Sequence, residues 1–200
     1  MDELSDICST EQFVGNVIGA FSLALSDKIS LAVREATGLG NTACGAIVTI
    51  GSEPGSSIER LRRMLSLEHS SLVRLLNRLE QFDLVERRRG SCDDQRIVSV
   101  WLTPRGDECF DVILRARARV LKNVVSTLDA AEYKTILSIV DKMMPKTVQC
   151  GDDQHYVCRL CDLEMCPQEF CPVNRAFPDF FELPAVPFSR NNNSEKSESR

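Results

Sequence analysis

SSLVRLLNRLEQFD, residues 70–83, carries two different surfaces along one helix-length run. At about 100° per residue, Leu72, Leu75, Leu76 and Leu79 fall on one stripe, while Ser70, Ser71, Arg74, Asn77 and Arg78 gather on the other. The leucines are expected to face a core and the polar set to face outward. Many surface helices share this pattern, so its meaning rests on the neighbours. Upstream, Ser57 stands as an N-cap before IERLRRML (58–65), and SLEH (66–69) joins that run to the next. Two short helices with a tight polar connection predict a helix-turn-helix.

Downstream, LVERRR (84–89) and RIVSVWLT (96–103) are strand-like runs around the polar turn GSCDDQ (90–95). A hairpin after a helix-turn-helix is the winged variant, whose second helix enters the major groove while the hairpin reaches the backbone or minor groove. A net charge of −5 discourages a nucleic-acid reading, but the charge is unevenly spread. From Ser57 to Arg105 ten arginines and no lysine stand among seven acids. The planar guanidinium fork suits phosphate oxygens and base edges. The plain alternative is a solvated charged face.

Long helices are predicted on both flanks. Glu11 to Thr37 places Phe13, Val17, Phe21, Leu25 and Ile29 at helical spacing, with Gly38 and Gly40 as stop signals. TACGAIVTIG forms a shorter apolar stretch before the turn SEPGS. Pro104 opens a helix through Leu128, and Asp129 with Glu132 forms a capping-box pattern before a last helix that Pro145 closes. These helices exceed what a winged core needs for its own burial. They are read as a homodimer interface, against the alternative of intrachain core.

With 43% hydrophobic and 26% charged residues, the 200-residue chain suits one main domain with a small appendage. No apolar run approaches the ~18 residues that span a bilayer. The N-terminus MDELSD is acidic, so a cytoplasmic protein is expected. Nine cysteines in a reducing compartment favour metal ligation or redox chemistry over disulfides. Cys8, Cys44 and Cys109 read as small apolar filler. Neither a phosphate loop nor a nucleotide-binding glycine pattern is present, and no histidine is placed for acid–base work, so an enzyme is not expected.

The order of these elements resembles the MarR family of winged helix-turn-helix transcriptional regulators over roughly residues 11–144. The resemblance is most specific in R-L-x-x-R-L-E followed by D-L-V-x-R (Arg74 to Arg87), and in the wing signature Asp94, Arg96, Leu102 and Thr103. It implies a mainly α fold with a small β-hairpin wing, and N- and C-terminal helices forming a homodimer interface. It further implies a dimer on a pseudo-palindromic operator of double-stranded DNA, usually as a repressor. A small-molecule effector would bind the crevice between the dimerisation and DNA-binding parts. By this likeness Ser70, Ser71 and Arg74 would lie in the major groove, Arg78 at its margin, and Arg96, oriented by Asp94, in the minor groove. Ser57, His69, Asn77, Arg87, Arg88 and Arg89 complete the candidate DNA-binding set. Gln95 stands where many relatives carry a basic residue, and Arg87 to Arg89 are read as compensation.

One segment goes beyond that pattern. CRLCDLEMCPQEFCP (158–172) sets Cys158, Cys161, Cys166 and Cys171 in a C-x2-C-x4-C-x4-C array able to supply four thiolates to one site. Zinc is the usual occupant of structural sites. An all-sulfur donor set, Pro after Cys166 and Cys171, and the lack of knuckle glycines favour an iron–sulfur cluster slightly. Cys150 and His155 are substitute ligands or loop residues. Cys92, in the wing turn beside arginines, is a candidate redox thiol or an inert exposed cysteine.

The expected organisation is an N-terminal dimerisation helix (1–40), a winged helix-turn-helix (41–106), C-terminal dimerisation helices (107–148), a cysteine-rich metal-binding segment (149–177) and a flexible tail (178–200). A regulator whose cysteine site senses redox state or metal is the leading reading. The alternative is a winged-helix protein-interaction module with a structural zinc clip.

Overall fold

The computed structural model describes residues 10–89, 98–148, 151–163, 165–166 and 168–176. Helix α1 (Thr10–Thr37) ends where Gly38 takes a left-handed φ of 70°, and α2 (Asn41–Ser52) follows. From Cys44 to Ile50 every residue of α2 is buried, which explains its uninterrupted apolar sequence. A two-residue strand β1 (Ser56–Ser57) leads into α3 (Ile58–Met64) and α4 (His69–Gln81). Strands β2 (Val85–Arg89) and β3 (Val98–Leu102) form the antiparallel wing hairpin. Strand β1 adds to the other side of β3, giving a three-stranded sheet of order β1-β3-β2. So short an edge strand carries no periodicity to read in the sequence.

The core lies among α2, α3, α4, the sheet and the first half of α5, with Val33 of α1. Leu72, Leu76 and Leu79 are fully buried and Leu75 is half-buried, so the α4 stripe faces inward as expected. Ser57 accepts a hydrogen bond from the Arg60 amide at 3.2 Å, capping α3. Asp83 takes a left-handed φ of 57° between α4 and β2, a conformation that Asp tolerates better than most residues.

Helix α5 (Pro104–Val125) starts at a crowded joint. Buried Thr103 donates its hydroxyl to the Asp83 carbonyl at 2.5 Å, its amide to the Leu84 carbonyl at 3.2 Å, and accepts from the Gly106 amide at 3.0 Å. A Cβ at position 106 would stand 2.0 Å from the Leu84 oxygen, so only glycine fits there. Helix α6 (Ala130–Thr147) begins with the predicted capping box, Asp129 accepting from two amides and Glu132 accepting from the Asp129 amide. Pro145 does not close the helix; α6 continues two residues beyond it. Near a C-terminus the clash and the lost bond involve a single turn.

The tail adds α7 (Gly151–Cys158), a 3-10 turn (Gln168–Phe170) and α8 (Pro172–Ala176). Helix α7 packs on α3, and α8 packs on α6. The stem, formed by α1 and α6, is otherwise bare: α1 buries only Val33 and α6 buries nothing. Phe13, Val17 and Phe21 stand outside, whereas Leu25 and Ile29 on the same stripe are half-buried in the part of α1 that meets α5 and α2. The expectation that no stretch is apolar enough to span a membrane is corrected by α1. Its best 18-residue window reaches a mean hydropathy of 1.3. Its small and hydroxylated residues interrupt the apolar run without lowering that average below the level of a span.

Candidate nucleic-acid interface and thiol cluster

The helix-turn-helix presents a polar surface because its leucines are used up inside. On α4, His69, Ser70, Arg74, Asn77 and Arg78 are exposed and Ser71 is half-buried, all away from the leucine stripe. The Arg78 guanidinium lies over the Phe82 ring, 5.6 Å from its centroid, a cation–π contact that restrains the side chain. With Arg74 one helical turn earlier, this places two guanidiniums along one helix edge, able to meet phosphates or base edges.

Several residues expected at DNA serve a structural purpose. Ser57 lends its oxygen to the α3 cap. Arg87 of β2 donates to Glu80 at 2.6 Å and to Asn77 at 2.9 Å, tying the wing to the outer face of α4. Its Nε is buried with no partner. Arg87 is therefore a tether, and its chemistry alone could not separate that role from a phosphate contact. Arg88 pairs with Glu86 and stacks on Trp101, 4.7 Å from the ring centroid, while Arg89 is exposed at the end of β2. Cys92, Asp94, Gln95 and Arg96 lie outside the described residues, as does Cys150.

Glu59 on α3 binds Arg62 through three hydrogen bonds of 2.9 to 3.2 Å. Those bonds, with the nearby positive charges, hold its carboxyl below the ordinary value. A shallow cleft of about 190 Å³ separates residues 39–43 from Leu75, Arg78, Leu79 and Phe82 of α4. That is below the ~300 Å³ at which small-molecule pockets begin.

The four tail thiols are half-buried neighbours. Cys158 is hydrogen-bonded to Cys161, and Cys166 to Cys171. Cys158 also feels Cys166 and Cys171 electrostatically, so both pairs share one locality. Among the described residues no group of three or more His, Cys, Asp or Glu side chains forms a ready metal cage. The free sulfurs stand as two hydrogen-bonded pairs, soft donors by their chemistry. The Cys158 hydrogen bond lowers the Cys161 pKa, and Arg117 of α5, whose Nη2 lies 3.7 Å from the sulfur, acts in the same direction. Cys158 is raised by the same bond and by burial, and burial with the neighbouring thiols raises Cys166. His155 is turned elsewhere, its Nδ1 4.0 Å from Glu53. Cys44 is fully buried and Cys109 half-buried, and burial raises both thiols, in keeping with their reading as filler.

Residues 43–106 match the family described as a winged helix DNA-binding domain. An uncharacterized HTH-type transcriptional regulator of Bacillus subtilis, YdgJ, is 26% identical over 83 residues, covering 42% of this chain and 50% of that protein. The transcriptional repressor MprA of Escherichia coli is 26% identical over 121 residues, covering 60% of this chain and 68% of that protein. The chain thus spans half of the first relative and about two thirds of the second. In fold it is similar to MarR of E. coli in its apo form, with a TM-score of 0.51, 21% identity, and coverage of 62% of this chain and 95% of that one. A Staphylococcus aureus MepR mutant bound to an oligodeoxyribonucleotide also has a TM-score of 0.51, at 17% identity, over 67% and 97% of the two chains.

Proposed function

We propose that this chain is a winged-helix transcriptional regulator of the MarR type that represses transcription as a homodimer on a pseudo-palindromic operator, with its four tail thiols as the sensing site. The observation that carries the reading is the exposed face of α4, where Ser70, Arg74, Asn77 and Arg78 stand opposite three fully buried leucines. In this reading α4 enters the major groove, with Arg74 on base edges and Arg78 at the margin. The exposed apolar sides of α1 and α6 supply the two-fold contact, which makes α1 a pairing helix and not a membrane span.

Cys158, Cys161, Cys166 and Cys171 would hold an iron–sulfur cluster or zinc. The bound group would order a segment with little apolar surface of its own. Its input is the redox state of the cell or its metal supply. Iron, sulfide and zinc analysis of anaerobically purified protein distinguishes the two occupants.

The DNA reading is tested with Arg74→Ala on a duplex that the full-length protein selects from a random library. Loss of a base contact costs on the order of 1–3 kcal/mol and relaxes specificity, leaving random-sequence binding nearly unchanged. Equal loss on both duplexes reassigns Arg74 to phosphate. A flat salt dependence, or no duplex selected, removes the regulator reading in favour of a protein-docking winged helix.

A further inference from the structure

Arg87 stands on β2, in register with Val100 of β3, and its guanidinium spans two residues of α4. Nη1 donates to Glu80 at 2.6 Å and Nη2 donates to Asn77 at 2.9 Å. The side chain is only 25% exposed, so the strand and the carboxylate together hold it in place. Chemistry settles which atom of Asn77 it meets. A guanidinium has N–H donors and no acceptor, so the amide turns its Oδ1 to Arg87 and keeps its Nδ2 on the other side. An asparagine without such a partner offers a base either an oxygen or an amine. On α4, Asn77 lies about 20° around the helix from Ser70 and about 60° from Arg74, on the exposed face that the operator reading turns to the duplex.

We infer that Asn77 is a specificity residue that reads a hydrogen-bond acceptor on a base edge of the major groove, with Arg87 as the positioning residue that fixes its amide. The inference rests on the operator reading given above and adds to it what α4 asks of one base pair. The usual partner of an asparagine is adenine, which it grips by accepting from N6 and donating to N7 together. Here the Oδ1 is engaged by a full positive charge, which opposes the approach of a second donor such as the adenine N6 amine or the cytosine N4 amine. The two hydrogens on Nδ2 remain to be given. Guanine, with N7 and O6 side by side, offers two places to receive them. Because Glu80 and the strand already hold Arg87, little side-chain freedom is left to lose when the duplex arrives.

The test uses full-length protein and the library-selected duplex. Comparing wild type with Asn77→Ala, at an exposed helix position where alanine is well tolerated, marks the base pair that Asn77 faces. Synthetic duplexes then carry at that pair an analogue lacking one major-groove acceptor, such as deazaguanine for guanine, or lacking one major-groove amine, such as purine for adenine. Losing the acceptor is expected to weaken wild-type binding by roughly fivefold or more relative to Asn77→Ala, whereas losing the amine shifts both proteins alike. Arg87→Lys keeps a charge for Glu80 but has no second arm for Asn77, and is expected to lose most of the acceptor preference. A wild-type loss that follows the amine, or equal weakening of selected and random duplexes by Asn77→Ala, overturns the inference. So does Arg87→Lys with the wild-type profile. If wild type selects no duplex, the operator reading falls and the specificity role with it. The Asn77 side-chain amide resonance of the free protein then decides the positioning alone: a shift in Arg87→Lys supports the Arg87 bond, and an unmoved resonance overturns it.

Discussion

Helices α4 and α6 are both amphipathic, and they meet opposite fates in the same chain. In α4 the leucine stripe is sealed inside, whereas in α6 Tyr133, Ile136, Leu137, Ile139 and Met143 remain exposed. The reading head, α2 to α4 with the sheet, closes its core with its own residues and with Phe110, Ile113 and Ala116 of α5 and Val33 of α1. The stem makes apolar surface and leaves it open. An apolar face on this scale marks an interaction site, and a second copy of the same stem is the occupant proposed here.

The largest effect that would break this contrast belongs to the head. Leu76→Ala should cost about 2–5 kcal/mol, read by urea unfolding, because the fully buried site cannot collapse around the missing atoms. Leu137→Ala in α6 should leave the isolated head intact and act through association. Truncating a central apolar anchor by ~2 kcal/mol would weaken dimerisation by about thirtyfold in sedimentation equilibrium. A concentration-independent loss from Leu137→Ala would make α6 part of a monomer core and dissolve the distinction.

Glu80→Gln tests the tie between α4 and the wing. Arg87 would lose its charged partner while its Nε is already unpartnered, at a cost of about 1–2 kcal/mol in unfolding. The smallest effect is expected at Glu59, a fully exposed carboxylate. Its folded pKa is depressed, chiefly by the Arg62 hydrogen bonds, so its contribution is present above the ordinary carboxylate value and disappears as pH falls through the lowered one. Glu59→Gln should therefore reduce Tm slightly at neutral pH and match wild type in strong acid. A deficit that persists in acid would point to packing instead of charge.

The head was legible in the sequence because its determinants are local. The leucine spacing of α4, the Ser57 cap and the hairpin residues each act within a turn or two of chain, as does the Asp129 capping box in the stem. What escaped was long-range or too short to be periodic. Strand β1 is two residues long, and Arg87 acquires its partners from seven and ten residues upstream. The C-x2-C-x4-C-x4-C spacing pointed to a shared locality for the thiols, and the structure brings both pairs together. Nothing in that spacing indicated that the segment would lie on α3 and reach α5, since those contacts join residues more than forty positions apart.

The Thr103 joint bears on how such a molecule can move. Its bonds to Asp83, Leu84 and Gly106 weld the root of the hairpin to the first turn of α5. Twenty-two residues of α5 then act as a lever arm of about 33 Å, and a swing of about 5° at the far end carries the hairpin about 3 Å, close to one base-pair step. Arg117 grips that arm near its middle.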